Sequence, residues 1–445
     1  MIRLLALVLL FLLSSSPTPG SGQERTGQWL RELTLAEKTS LLTGKNSWET
    51  VDIPRLGIPS VWMTDGPAGL IKRIAAEDGT ERSVPATTFP SAGALAATWN
   101  PELIEMVGEV IGEEAAHNGV SLLLAPGLNL KRHPLGGRNF EYYSEDPLLS
   151  GKIAAAFVRG VQSRGVGATL KHFAVNNQEH RRMVIDARVG DRALRELYLR
   201  GFEIAVRESD PVAVMTAYNR VNGVPASSNP LLLTKILREE WGFDGIVVSD
   251  WGAVNDPVGA IQAGLDLEMP ANPLTPPILE AAVREERLPL EDLDRAVGNV
   301  LGLVTLHERL PRHENPEGPH QGHAVAETAA LESIVLLENK GALPLDPSHH
   351  PRLGVVGRLA VHPRIQGIGS SQMSPTQVDT IWTSLRELGL ERGFDVQGWF
   401  PEYSEDGLTS GEEGMPDEHT CGCKHDCLPR WHRWGAGPFG AIPPR

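Results

Sequence analysis

Residues 166–175 read VGATLKHFAV, a nearly continuous apolar run that carries Lys171 and His172 close to its end. Runs that are apolar on both faces are typical of parallel strands buried on each side. Five further runs have the same character: VWMTD (61–65), SLLLAPGLNL (121–130), VAVMTAYN (212–219), GIVVSD (245–250) and GLDLEMP (264–270). We therefore predict a buried parallel sheet between Trp29 and Glu308.

The segments between these runs have the features of helices with defined ends. Asn100 is a favourable N-cap before Pro101, and Asn229 stands in the same way before Pro230. Apolar residues then recur on one helix face: Leu103, Val107, Val110 and Ile111 in the first helix, and Leu233, Ile236 and Leu237 in the second. Strand-then-helix order over about 280 residues predicts a (β/α)8 barrel of the TIM type. A doubly wound sheet is the alternative, but no glycine-rich phosphate-binding motif follows the early strands.

The remaining sequence predicts a second, incomplete domain. We expect the barrel over 23–310, a linker over 311–323, a partial α/β sandwich domain over 324–397 and an irregular tail over 398–445. Within the partial domain, 324–338 has the pattern of a helix, LGVVG (353–357) that of a strand, and GIGSS (367–371) that of a loop.

The first residues have the layout of a secretory signal peptide. Arg3 precedes the apolar run Leu4–Leu13, and small and turn residues follow up to Gly22. Ten apolar residues are too few to span a bilayer, although an N-terminal membrane anchor is the alternative. We predict a signal peptide over 1–22 and an exported protein, secreted or periplasmic, without stable membrane insertion.

Composition excludes several classes of partner and cofactor. The chain has 41 Lys and Arg against 56 Asp and Glu, a net charge of −15, which argues against binding to nucleic acid. All three cysteines lie in CGCKHDC (421–427), near His419 and His425. Their C-x-C-x3-C spacing does not match the common zinc patterns, so we expect no metal and no other cofactor.

Polar residues follow the predicted strands, where a parallel barrel carries its catalytic groups. They are Asp65, Lys171, His172, Tyr218, Asn219 and Asp250. Asp250 is able to act as a nucleophile toward a sugar carbon or to cap the following helix, and Trp251 offers an apolar platform for a sugar.

Two polar segments add further candidates. Segment 136–147, GGRNFEYYSEDP, holds Arg138 and three carboxylates for acid/base chemistry, with a surface loop of ion pairs as the alternative; the carboxylates are those of Glu141, Glu145 and Asp146. Segment 171–182, KHFAVNNQEHRR, brings Arg181 and Arg182 after the Lys-His pair. Adjacent cations would lower the pKa of a neighbouring carboxylate and donate hydrogen bonds to sugar hydroxyls.

Five motifs occur in one order: TDGPAGL, GRNFEYYSEDP, KHFAVNNQE, MTAYNRVNG and VVSDWGAV. Together they resemble the catalytic barrel of glycoside hydrolase family 3 over about residues 30–375. The resemblance implies a retaining, exo-acting β-glycosidase of the β-glucosidase type that acts on β-glycosides or oligosaccharides, with Asp250 as nucleophile. It also implies a sugar pocket with Trp251 on the leaving-group side. The residues that form this pocket are Asp65, Arg138, Lys171, His172, Arg182, Met215 and Tyr218.

The same resemblance bears on the second domain. It implies a contact from Ser370 or Ser371, and a general acid/base glutamate further along, which we expect this chain to lack. The alternative function is therefore a sugar-binding protein with impaired catalysis.

Overall fold

The computed structural model describes residues 20–75, 81–310, 322–365 and 371–400, together with 403–404 and 407–408. Most of the predicted signal peptide, linker and tail, the cysteine cluster and Ser370 lie outside the described residues. The chain divides into two compact units, of which the first runs to Leu345 and also takes in Arg364–Asp379. The second comprises Asp346–Pro363 and the residues from Thr380 onward.

The secondary structure alternates short strands with longer helices. The strands are β1 (Met63–Asp65), β2 (Arg73–Ala75), β3 (Glu81–Ser83), β4 (Pro85–Ala86), β5 (Leu122–Leu124), β6 (Gly167–Phe173), β7 (Asp186–Ala187), β8 (Ala213–Thr216), β9 (Arg220–Val221), β10 (Val224–Pro225), β11 (Ile246–Val248), β12 (Arg352–Val356), β13 (Ser374–Pro375), β14 (Asp395–Trp399), β15 (Tyr403–Ser404) and β16 (Gly407–Leu408). The α-helices are α1 (Gly20–Glu32), α2 (Leu35–Ser40), α3 (Ala92–Ala97), α4 (Pro101–His117), α5 (Pro147–Ser163), α6 (Asp191–Ala193), α7 (Arg200–Ser209), α8 (Pro257–Ala263), α9 (Thr275–Arg284), α10 (Leu290–His307), α11 (Gly322–Ser333) and α12 (Ile381–Arg392). In the described part of the chain, none of these helices has the length and apolar character needed to cross a membrane.

The first unit is built on a five-stranded parallel sheet in the order β1-β5-β6-β8-β11. Each strand lies within one of the apolar runs, so the prediction of an α/β fold with a parallel sheet is confirmed. The sixth predicted run, GLDLEMP, pairs through single parallel bridges, Leu267 with Val248 and Glu268 with Thr43.

Both faces of this sheet are buried. Leu123, Leu170 and Val247 belong to a core cluster shared with α4, α5 and α7. The alternate residues Leu122 and Val248 belong to a second cluster, shared with α1 and α10. Alternate side chains of a strand point to opposite faces, which is why these strands are apolar at successive positions.

The two predicted helix starts are confirmed. Oδ1 of Asn100 accepts a hydrogen bond of 3.1 Å from the Leu103 amide, and α4 begins at Pro101. Oδ1 of Asn229 accepts from the amide of Leu231 at 3.1 Å, although the segment that follows, Leu231–Glu240, has π-helical hydrogen bonding. Its predicted inner face is buried at Leu233, Ile236 and Leu237.

Helices α4 and α5 approach each other closely at glycines. A methyl group on Gly160 would collide with the carbonyl oxygen of Glu105 and would come within 2.9 Å of the Cα of Gly108. We expect Gly160→Ala to lower the free energy of unfolding by about 2 kcal/mol, since two backbones would have to separate. Gly302→Ala, in α10 where a methyl group meets no atom, should instead raise it by about 0.5–1 kcal/mol. Urea unfolding of both variants tests this, and a stabilising Gly160→Ala would contradict it.

The predicted partial domain over 324–397 is divided between the two units. Helix α11, predicted to reach Glu338, ends at Ser333, where the β-branched residues Ile334 and Val335 follow and are mostly exposed. The helix belongs to the first unit: it buries Ala329, and Nδ2 of Asn100 donates to Oε2 of Glu332 at 2.9 Å.

The second unit contains the predicted strand LGVVG. It forms β12, which pairs in parallel with β14 in the register Leu353 to Val396. Helix α12 lies between these strands in sequence, with Thr380 as its N-cap. Strand β14 extends to Trp399, two residues beyond the predicted end of the domain at 397, because Gly398 and Trp399 continue its pairing with Val355 and Val356.

The chain returns to the first unit after Pro363. Strand β13 pairs in parallel with β4, Ser374 beside Pro85, and the Thr376 amide donates to the Ala86 carbonyl at 3.0 Å. Ser371 is buried there, and Met373 packs against Gly69, where a β-carbon would collide with it. The segment 371–376 is therefore an integral part of the first unit.

Candidate active site

The carboxyl ends of the parallel strands bring polar side chains together. Asp65 is the last residue of β1, Lys171 and His172 lie near the end of β6, and Asp250 follows β11 by two residues. The predicted Met215, in β8, is paired in register with Val248, and its side chain is buried in the second core cluster beneath this rim. We call this set the candidate active site; with the neighbours described below it includes Asp65, Arg138, Glu141, Lys171, His172, Arg182, Met215, Tyr218, Asp250 and Trp251.

Asp250 is buried, and its two carboxylate oxygens differ. Oδ1 accepts a hydrogen bond of 2.8 Å from the Trp251 amide. Oδ2 has no hydrogen-bond partner, although it lies 3.9 Å from Nη1 of Arg138 and 3.7 Å from Nε2 of His172. Burial raises the pKa of Asp250, and the charge of Arg138 opposes that rise. The capping alternative for Asp250 does not hold, since α8 begins at Pro257 and is capped by Asp256.

Two buried cations share two carboxylates beside Asp250. Nε of Arg138 donates to Oε1 of Glu141, three residues along the chain. Nζ of Lys171 donates to Oδ1 of Asp65 at 3.0 Å and lies 4.0 Å from Oε2 of Glu141. Glu141 thus accepts a hydrogen bond from Arg138 and lies within ion-pair distance of Lys171, so its charge attracts both cations.

His172 is enclosed by polar groups. Nδ1 lies 3.0 Å from the hydroxyl of Tyr142, and the backbone amide of His172 donates to Oδ1 of Asn129 at 2.8 Å. Burial and the nearby charges of Arg138, Lys171 and Arg182 hold the pKa of His172 well below its usual range, so the ring is neutral.

Arg182 and Tyr218 form one wall of the candidate active site. The Arg182 guanidinium lies 4.5 Å from the centre of the Tyr218 ring, a cation–π distance, and Nη1 donates to Glu179 at 2.6 Å. The Tyr218 hydroxyl donates to the Trp251 carbonyl at 3.1 Å. Burial and the charge of Asp250 raise the pKa of Tyr218, so its hydroxyl stays protonated.

Trp251 is held by a loop that the sequence did not suggest. Its Nε1 donates to the Ser47 carbonyl at 2.9 Å, and its ring lies 5.7 Å from that of Trp48. The backbone of Trp48 is fixed in turn, since its carbonyl accepts from the Met63 amide of β1 at 2.8 Å.

The structure separates the three candidate carboxylates of segment 136–147. Glu141 lies within the site, and its i, i+3 spacing from Arg138 was the available signal. Asp146 caps α5 by accepting from the Leu148 amide at 2.8 Å, and Glu145 is exposed. Within the described ranges, no group of three His, Cys, Asp or Glu side chains is arranged to hold a metal ion.

The sequence did not point to other buried polar residues beside the site. Tyr142 contacts His172, Asn176 donates to the Tyr142 hydroxyl, and Asn129 pairs with the His172 backbone. Only their positions within the polar motifs hinted at this, since hydrogen bonds between separate loops leave no periodic pattern.

Comparison with known proteins identifies the family. Residues 35–303 match the model described as Glycosyl hydrolase family 3 N terminal domain. The chain is 48% identical over 369 residues to thermostable beta-glucosidase B of Acetivibrio thermocellus, covering 82% of this chain and 48% of the relative. It is 46% identical over 383 residues to an exo-alpha-(1->6)-L-arabinopyranosidase of Bifidobacterium longum, covering 83% and 50%.

A solved structure gives the same result. Beta-glucosidase 3B from Thermotoga neapolitana, in complex with glycerol, superposes with a TM-score of 0.77 at 42% identity, covering 83% of this chain and 55% of that one. The same enzyme is also known in complex with alpha-D-glucose. The chain spans about half the length of the curated relatives it matches. By these matches the chain belongs to glycosyl hydrolase family 3.

Proposed function

We propose that this protein is a retaining, exo-acting β-glycosidase of the β-glucosidase type. The names of the relatives support hydrolysis of a terminal sugar, and the candidate active site supports a double-displacement mechanism. The observation that carries the proposal is the state of Asp250: Oδ2 is buried, has no hydrogen-bond partner and faces two nitrogen atoms within 4 Å. A buried carboxylate oxygen that accepts no hydrogen bond from its two neighbouring nitrogen atoms is available to attack a carbon atom.

In the proposed reaction, Oδ2 of Asp250 bonds to the anomeric carbon while the bond to the leaving oxygen breaks. The leaving oxygen takes a proton from a general acid, and the same group then removes a proton from water as the sugar is released with retained configuration. Asp65 and Glu141 are each engaged by a buried cation, Lys171 and Arg138 respectively, so neither carboxyl is free to reach a leaving oxygen. We therefore assign the acid function to neither of them.

The sugar pocket of this proposal is lined by complementary groups. Asp65 accepts hydrogen bonds from sugar hydroxyls, and Lys171, Arg138, Arg182 and His172 donate to them. Met215 and the rings of Tyr218 and Trp251 offer apolar surface. Charged groups that are already oriented by one another bind a neutral, polyhydroxylated ligand without further reorganisation.

A closed barrel is also part of the proposal. Its support is the pairing on either side of the five-stranded sheet: Leu267 with Val248, Glu268 with Thr43, and Glu49 with Trp62 beside β1. Together with the antiparallel bridge of Gly44 with Thr50, they supply the pairing that a ring between the two edges of the sheet would need, and the Glu49 bridge is also antiparallel. Export of the protein is a further part of the proposal and rests only on the apolar run Leu4–Leu13 and the small and turn residues after it.

Mechanism-based labelling tests the proposal. The wild-type chain, treated with 2,4-dinitrophenyl 2-deoxy-2-fluoro-β-D-glucoside, should gain the mass of one fluoroglucosyl group, attached to the peptide that contains Asp250. Absence of labelling with both this probe and its arabinopyranosyl counterpart would overturn it. Hydrolysis of a dinitrophenyl glucoside needs little acid assistance, whereas hydrolysis of a methyl glucoside needs a general acid. Hydrolysis of both substrates indicates a complete glycosidase, and hydrolysis of the dinitrophenyl glucoside alone indicates impaired catalysis.

The raised pKa of Asp250 predicts the acid side of the pH profile. The nucleophile must be ionised, so kcat/KM on dinitrophenyl glucoside is at its full value above the pKa of Asp250 and falls as the pH drops through that pKa. Because burial raises this pKa, the loss should begin above the value of about 3.9 for an unperturbed aspartate. Tryptophan fluorescence in the same buffers shows whether the fold persists. A folded enzyme with constant kcat/KM down to that value would contradict the prediction.

A further inference from the structure

A chain of three buried side chains ends at the candidate active site. Nδ2 of Asn176 donates to the Tyr142 hydroxyl at 3.1 Å, and that hydroxyl lies 3.0 Å from Nδ1 of His172. Asn176, Tyr142 and His172 are each at least 98% buried, so bulk solvent does not compete for these hydrogen bonds. On the far side of the ring, Nε2 of His172 lies 3.7 Å from Oδ2 of Asp250.

The donors and acceptors along this chain fix each proton. The Tyr142 oxygen accepts from Asn176, and its single proton is then directed to its other neighbour, Nδ1 of His172. Burial raises the pKa of Tyr142 well above its usual value, which keeps that proton in place. The neutral His172 ring carries one proton, and with Nδ1 accepting, the proton is on Nε2.

The opposite arrangement is unfavourable. Rotating the Asn176 amide would reverse both hydrogen bonds and place the ring proton on Nδ1. The lone pair of Nε2 would then face Oδ2 of Asp250, and two electron-rich atoms would oppose each other in a buried site.

We propose that Tyr142, oriented by Asn176, is a positioning residue that fixes His172 in the tautomer with its proton on Nε2. The ring then presents an N–H group toward the site, beside Oδ2 of Asp250. In the reaction, this N–H group would donate to a sugar hydroxyl next to the nucleophile, and that use rests on the proposed function. The assignment of the tautomer is independent of the proposed function.

Nitrogen-15 NMR of the full chain, labelled at histidine, measures the tautomer without any substrate. The His172 signals are assigned by their loss in His172→Gln. In the wild-type protein, Nε2 should resonate in the protonated, pyrrole-like range and Nδ1 in the unprotonated, pyridine-like range. The reverse assignment in the wild-type protein would overturn the proposal.

Tyr142→Phe removes the hydroxyl and keeps the ring. Its His172 signals should move toward a mixture of both tautomers, and kcat/KM should fall by about five- to tenfold, the value of one hydrogen bond. Tyr143→Phe is the matched control, since Tyr143 is also buried and its hydroxyl does not contact His172. It should leave the His172 signals and kcat/KM nearly unchanged.

The two readouts separate this proposal from the proposed function. Unchanged His172 signals in a folded Tyr142→Phe protein would reject the positioning role even if activity fell. An Nε2–H tautomer that is lost in Tyr142→Phe would support that role even if the wild-type chain hydrolysed no glycoside.

Discussion

Asp250→Asn should lower kcat/KM on 2,4-dinitrophenyl β-D-glucoside by about four orders of magnitude or more, the usual result of removing a nucleophile. The amide oxygen cannot form a stable bond to the anomeric carbon, and a good leaving group does not compensate for that loss. Labelling by the fluorinated glucoside should disappear as well. The fold should persist, because Asn keeps the size of the side chain and an oxygen that accepts from the Trp251 amide.

Asp256→Asn is the matched control for Asp250→Asn. It makes the same chemical change six residues along the chain, at the exposed N-cap of α8, where Asn caps as well as Asp. Its activity should stay within about twofold of the wild type, because a cap-conserving surface change has little effect. If Asp250→Asn kept more than a hundredth of the wild-type kcat/KM and still became labelled, another residue would have to be the nucleophile.

Lys171→Met should damage both stability and catalysis. Methionine fills a similar volume but leaves Asp65 without its cation and Glu141 with Arg138 alone. Removing one member of a buried ionic cluster costs about 3 kcal/mol of the free energy of unfolding. Loss of a charged donor to the sugar should also lower kcat/KM by about a hundredfold. Urea unfolding and steady-state kinetics on dinitrophenyl glucoside measure the two effects.

Lys152→Met separates these effects from simple loss of a lysine. Lys152 is half exposed and pairs with Glu208 at 2.7 Å on the surface of the first unit. Such pairs contribute less than about 1 kcal/mol, so stability and activity should change little. Equal destabilisation by the two substitutions would show that the buried cluster has no special role.

The sequence predicts well what depends on local pattern. Strand β6 lies within the run 166–175, and α4 begins where Asn100 and Pro101 place it, because burial and capping depend on neighbouring residues. The candidate site was predictable from the same strands: Asp65 and Lys171 end up paired because parallel strands bring their carboxyl ends together.

Contacts between distant loops were not predictable in this way. The Ser47 carbonyl meets Trp251, and Tyr142 meets His172, through loop geometry that leaves no periodic signal. The end of α11 was placed too late because the apolar residues from Ile334 to Leu337 extend its pattern, although they are exposed. Glu145 and Asp146 have the right chemistry for catalysis, but the direction of their loop takes them away from it.

The pairing of β13 with β4 has a consequence for the order in which the chain folds. Roughly 290 residues separate Ser374 from Pro85, and the strand β12 of the second unit is synthesised between them. During translation, most of the first unit emerges before the segment that completes it, so Met373 reaches Gly69 only after β12 has left the ribosome. Closing so long a loop has an entropic cost, and the segment gains its contacts with Pro85 and Ala86 only once that loop is closed. This pairing should therefore form late and open early, and a break in the chain between Leu345 and Arg364 would turn an intramolecular contact into a bimolecular one.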